Sequence, residues 1–211
     1  MTALSSPAPS EERFREIAGR LAARHKGRFS RETVQQVLAD SYTLLAATAT
    51  VPTYLLVLAE RFTRERLTAL AHLETPATGT PRVLFVCTRN AGRSQMAAAL
   101  LAHRAGERLQ VSSAGTRPAA GLDPGVAAVL AEQDVALADA YPKPLTDEVV
   151  RAADIVITMG CGDACPVIPG RRYLDWPLPD PDGAPLDAVR AVRNDIDARI
   201  TELLALLPPA S

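Results

Sequence analysis

In VLFVCTRNAGRSQ, residues 83–95, a thiol, a guanidinium and a hydroxyl stand close enough in the chain to do chemistry together. They belong to Cys87, Arg93 and Ser94, with Thr88, Arg89, Asn90, Ala91 and Gly92 between the first two. A tight loop joining a strand to a helix can turn its N–H groups inward as an anion nest, to which the helix adds its positive dipole end. Arg93 offers two parallel donors to a tetrahedral oxyanion, a fork that lysine lacks. A cysteine at the centre of that field is held as thiolate, the nucleophilic form. Ser94 can donate to that thiolate or stabilise it as a leaving group, and Asn90 is expected to tie the loop's carbonyls in place. Cys87 is therefore the candidate nucleophile, with residues 88–93 as the oxyanion-binding set. A buried cysteine that merely ends a strand is the competing reading, and a buried strand before the loop with a helix after it argues against that.

Two further segments carry reactive groups. WPLPDPDG, residues 176–183, offers Asp180 as proton donor for a leaving oxygen, a need common to cysteine chemistry at an oxyanion. A surface turn with capping aspartates explains the same residues equally well. TMGCGDACPVIPG holds Cys161 and Cys165 with three residues between them. A zinc site would need two more ligands, and His25, His72 and His103 form no ligand pair, so no metal is expected. Inert thiols in a loop are a second reading. A third is a relay, in which Cys161 attacks an adduct on Cys87 and Cys165 then attacks Cys161, leaving a disulfide near the surface for an external reductant; Gly160 and Gly162 would let the loop move.

These residues need a frame, and the chain after residue 81 provides alternating strand and helix. Residues 82–87 form a continuous apolar run, as a strand buried on both faces should. Helix signals continue to residue 104, followed by a strand over 109–113 and helices over 124–133 and 146–152. Strands over 154–159 and 171–176 and a closing helix over 185–207 complete the order. It implies a four-stranded parallel sheet flanked by helices, with ligands bound beyond the carboxyl ends of the strands. Cys87 and Gly160 fall at two such ends.

Residues 11–73 read differently, as a small bundle of three helices over 11–24, 31–46 and 51–73. Ser30 is a plausible N-cap, and Pro52 suits a first turn. Val51, Leu55, Leu58, Phe62 and Ala69 share one face of the third helix, with Arg61, Arg64, Glu65 and Arg66 on the other. Such a bundle has a marginal core and is expected to dock on the rest of the chain or on its copy in a homodimer. Residues 1–10 are expected to be a flexible terminus, 74–81 a linker and 82–211 the catalytic domain.

Composition excludes several function classes. Lys and Arg total 23 against 24 Asp and Glu, so no global field steers nucleic acid or an anionic membrane, and any anion must be held locally. No apolar run approaches a membrane span and the N-terminus lacks the order of a signal peptide, so a cytoplasmic location is expected. Three cysteines make no disulfide scaffold.

CTRNAGRSQMA, SSAGT (112–116), TMGCGDACP and the Asp180–Pro181 pair together resemble the thioredoxin-coupled arsenate reductases that share the low-molecular-weight protein tyrosine phosphatase fold. The resemblance implies that Cys87 is the nucleophile, that Arg93 and the loop backbone bind arsenate, and that Ser94 supports the thiolate. Cys161 and Cys165 would be the second and third redox cysteines, and Asp180 would assist departure of the oxygen. Arsenite would leave as Cys161 joins Cys87, the disulfide would pass to the 161–165 pair, and thioredoxin would reset the enzyme with no bound cofactor. Phosphate or sulfate would mimic the substrate. Relatives often place an acidic residue one turn into the helix to help hold potassium; Ala97, Ala98 and Ala99 stand there, so that ion is not expected. The 161–165 spacing is also shorter than in the better-known members. The N-terminal bundle resembles a helical extension taken to mediate dimerisation.

Two rivals remain. A protein tyrosine phosphatase working through a phosphocysteine would use the same loop, Arg93 and Asp180. It usually has proline where Gln95 stands, and it has no use for Cys161 and Cys165. A non-enzymatic arsenic or redox sensor would use the bundle to bind DNA or a partner, although its only basic face, RFTRERL, is short.

Overall fold

A computed structural model describes residues 11–25, 27–49, 52–75, 79–137, 139–161 and 165–207. The expectations for residues 1–10, Val51 and Gly162 lie outside them. The chain divides into two compact units, Met1–Pro76 and Ala77–Ser211.

The first unit holds α1 (Glu11–Arg24), α2 (Arg31–Ala46) and α3 (Leu55–Glu74). Ser30 caps α2 by accepting the Thr33 N–H at 3.0 Å, so one of the amides left unpaired at the helix start is satisfied. The third helix starts later than its apolar spacing predicts, because Pro52–Tyr54 wind as a tighter 3-10 turn before α3. Such turns are common at helix starts. Arg66 also departs from expectation. It is buried with Leu55, Phe62 and Leu67, not on an exposed polar face. Its guanidinium meets the Asp40 carboxylate at 2.6 Å and Ser41 Oγ at 3.0 Å, and it lies 5.5 Å from the centre of the Phe62 ring. A buried charge persists only when paired in this way.

In the second unit the elements are β1 (Arg82–Cys87), α4 (Arg93–Ala105), β2 (Gln110–Gly115), α5 (Pro124–Ala131), α6 (Asp147–Ala152), β3 (Ile155–Thr158), β4 (Arg172–Asp175) and α7 (Leu186–Leu206). The strands form one parallel sheet in the order β2-β1-β3-β4. This is the four-stranded architecture the alternation of strand and helix predicts. β1 is central, which explains its unbroken apolar run. Val83, Phe85 and Cys87 face a core shared with α4, α5 and α7, whereas Leu84 and Val86 face a smaller one with Val150, Val156, Cys161 and Cys165. Burying side chains of this size stabilises the fold by about 1.5–3 kcal/mol each.

β2 begins one residue later than the expected 109–113 and runs two residues beyond it, to Gly115, which pairs with Cys87. A side chain at Gly115 would place its Cβ 2.9 Å from the Thr88 carbonyl oxygen and 2.9 Å from Asn90 Cβ. Glycine there lets the sheet edge press against the loop after β1. α5 begins at an Asp-Pro pair, with Asp123 Oδ1 accepting the N–H groups of Gly125 and Val126 at 2.8 and 3.3 Å. No helix among the described residues is long and apolar enough to cross a membrane.

Candidate active site

The loop from Cys87 to Arg93 bridges the carboxyl end of β1 and the start of α4. Its shape follows from where its carbonyls go. Those of Cys87, Thr88 and Arg89 accept the N–H groups of Thr116, Arg117 and Ala119 at 3.2, 2.8 and 2.9 Å. The Ala91 and Gly92 carbonyls accept from Asp123 and Met96 at 3.1 and 2.9 Å, and that of Asn90 accepts from Gln95 Nε2 at 3.1 Å. With every carbonyl engaged outward, the amides are the groups left to face an anion, and the Asn90 N–H already donates to Cys87 Sγ at 3.2 Å.

Asn90 is the loop's hub, in a different way from the one its sequence position predicts. Its side chain binds no loop carbonyl. Nδ2 donates to Ser94 Oγ at 2.8 Å, and Oδ1 accepts from Lys143 N and Gln95 Nε2 at 2.9 and 3.1 Å. Its φ is 48°, a left-handed conformation that asparagine tolerates better than most residues. Ser94 Oγ lies 3.0 Å from Cys87 Sγ. Because Ser94 already accepts from Asn90, its own proton is free to be directed at the sulfur.

Arg93 is 7% exposed, and both ends of its fork are occupied. One nitrogen donates to the Leu178 carbonyl at 3.2 Å and the other to Asp180 Oδ2 at 2.7 Å. Gly160, at φ 73°, allows this burial, since a Cβ there would lie 2.6 Å from the guanidinium. An incoming oxyanion therefore shares Arg93 with Asp180, or takes its place. Cys87, Arg89, Gly92, Arg93, Asp180 and Asp182 line one narrow pocket, together with Ala91 and Asp123.

Cys161 and Cys165 are free, buried thiols that pack behind β1 on the face opposite Cys87. The Cys165 thiol hydrogen-bonds Cys161 and brings its pKa down to about 7, helped by the Met159 and Cys161 backbone. The same bond and burial push Cys165 up. Cys161 directly follows Gly160, whose carbonyl accepts from Thr88 Oγ1 at 3.2 Å. Cys161 thus follows a residue that contacts the nest, while its thiol lies on the other face of the sheet. Among the described residues no cluster of His, Cys, Asp and Glu could hold a metal ion.

Residues 82–209 match the family described as low molecular weight phosphotyrosine protein phosphatase. The chain belongs to this family. Residues 14–71 match a protein-tyrosine-phosphatase-like N-terminal domain. Among solved structures of the family fold, the thioredoxin-dependent arsenate reductase of Corynebacterium glutamicum is 47% identical, with 92% of this chain and 96% of that one covered and a TM-score of 0.84. Arsenate reductase 1 of Bacillus cereus is 34% identical over 56% of this chain and 90% of its own length. A glutaredoxin arsenate reductase of Synechocystis is 31% identical over 59% of this chain and 96% of its own.

The fold brings Cys87, Arg93, Ser94 and Asp180 together and leaves Cys161 and Cys165 behind the sheet. Sequence reasoning missed Gln95, whose Nε2 also donates to the Tyr141 carbonyl at 2.8 Å, and Asp123, whose N–H holds the Ala91 carbonyl. The Asp-Pro pair before a helix was a readable cap signal for Asp123. For Gln95 no local signal existed.

Proposed function

We propose that this protein is an arsenate reductase that forms arsenite through Cys87 and a relay over Cys161 and Cys165, with thioredoxin as external reductant. The observation that carries the reading is a hydrogen-bonded thiol pair whose first member, Cys161, follows a glycine packed so near Arg93 that a Cβ would not fit. A phosphatase ending its reaction with water has no task for that pair. The names of the relatives, thioredoxin-dependent and glutaredoxin arsenate reductases, support the same reaction class.

Arsenate enters the nest, takes the Arg93 fork and releases Asp180. Cys87 Sγ bonds to arsenic, and an arsenic-bound hydroxyl departs as water with a proton that the freed Asp180 takes up from solvent and passes on. Cys161 then attacks Cys87 Sγ. The sulfur–arsenic bond breaks with its electron pair left on arsenic, so As(V) becomes As(III) while two thiols become the Cys87–Cys161 disulfide. Cys165 attacks Cys161, returning Cys87 as thiolate, and thioredoxin reduces the 161–165 disulfide. Arsenate and phosphate share shape and charge, so selectivity arises from the ease with which thiols reduce As(V).

Cys161 must leave its place behind the sheet for the first exchange. Gly160 tolerates the backbone change, and its contact with Thr88 is a single side-chain hydrogen bond. The protein works in a reducing cytoplasm and pairs as a homodimer through residues 11–73, where exposed Tyr54 and Val57 offer apolar surface.

The test is NADPH consumption with thioredoxin and thioredoxin reductase, with and without arsenate, in wild type, Cys161→Ser and Cys165→Ser. Arsenate-dependent turnover in wild type that both substitutions abolish is expected. Hydrolysis of an aryl phosphate with no arsenate-dependent turnover would instead make the protein a phosphatase.

A further inference from the structure

We propose that Arg89 and Asp182 form a strap across the mouth of the oxyanion pocket, which restricts the site to small inorganic tetrahedral oxyanions and turns away their organic esters. The inference rests on the reading that the nest after β1 receives an oxyanion.

Arg89 belongs to the nest and Asp182 to the segment after β4, and their side chains form an ion pair. Both border the same pocket as Cys87, Arg93 and Asp180. The pair lies at the rim, with side chains 46% and 54% exposed, whereas Cys87 beneath is 2% exposed. Neither end of the strap is loosely held. The Arg89 carbonyl is fixed by the Ala119 N–H at 2.9 Å, and the Asp182 N–H donates to Asp180 Oδ1 at 3.3 Å. Between these ends Pro181 presses on the nest so closely that a Cβ on Gly92 would lie 2.8 Å from Pro181 Cγ.

An inorganic oxyanion carries no group that must project past such a strap. An ester of the same charge carries a carbon group that must project outward, toward the guanidinium–carboxylate pair. Exposed ion pairs are individually weak, so this one parts often enough to admit a compact anion, yet an ester is held only while it stays parted. The pair also neutralises one of the carboxylates that surround an anionic substrate.

Binding of inorganic phosphate and of phenylphosphonate to the reduced full-length protein tests the strap, measured by calorimetry on wild type, Arg89→Ala, Asp182→Ala and the double variant. The two probes are closely matched in charge, so the ratio of their affinities removes most of the long-range electrostatic change. Both single variants are expected to raise the phenylphosphonate-to-phosphate ratio by about 2- to 5-fold, the range an exposed pair can command, and the double variant no further. Removing a cation and removing an anion have opposite effects on charge, so a shared direction identifies the strap. A ratio unchanged in either single variant, or moving in opposite senses in the two, would overturn it. Arsenate-dependent oxidation of the wild-type thiols is scored separately. Its absence beside a normal ratio shift would remove the reductase reading and leave the strap, whereas failure of wild type to bind phosphate would remove both.

Discussion

At the scale of residues, the site depends on donors whose geometry is set before any anion arrives. Arg93→Lys keeps the charge but loses the fork, and a fall of about 10²-fold in kcat/KM for arsenate is expected from steady-state kinetics, in line with the loss of a preorganised donor. The Cys161 thiol gives a pH signature. Its pKa is lowered to about 7 by the hydrogen bond from Cys165, so the attacking thiolate is scarce at pH 6, half-formed near 7 and dominant above 8. In single-turnover experiments on Cys165→Ala, which still permits the Cys87–Cys161 disulfide, the midpoint for forming that disulfide should move to higher pH. A midpoint unchanged from wild type would show that this bond does not set the ionisation of Cys161.

At the scale of elements, two close approaches fix the nest. Gly160→Ala forces a left-handed residue to carry a Cβ into the Arg93 guanidinium, so weaker phosphate binding and a loss of roughly 1–3 kcal/mol in denaturant unfolding are expected. Asp123→Ala removes the cap of α5 at a cost of about 1 kcal/mol in denaturant unfolding, while the backbone N–H that holds the Ala91 carbonyl stays in place. The strand–loop–helix unit around Cys87 was legible in the sequence because a buried central strand is apolar throughout and a nest has fixed spacing. Arg66 was not, since its burial depends on Asp40 and Ser41, which lie in another helix. The contacts of Gln95 were hidden for the same reason: Tyr141 is distant in sequence and only folding brings it near. The two-residue extension of β2 was missed because Ala114 and Gly115 have little strand propensity and are held by pairing with Val86 and Cys87.

At the scale of the whole molecule, the chain divides into a helical unit and a sheet unit. If residues 11–73 pair two copies, sedimentation velocity on the full chain gives a dimer, and Tyr54→Glu with Val57→Glu shifts it toward monomer while phosphate binding in the sheet unit persists. A monomer in the unaltered chain would exclude that role. The central strand, meanwhile, does more than support the nest. Because Cys87 points to one side of β1 and the thiol pair lies on the other, the proposed relay would be an open circuit at rest. A stray oxidant cannot close Cys87 onto Cys161 until the backbone beyond β3 has swung round.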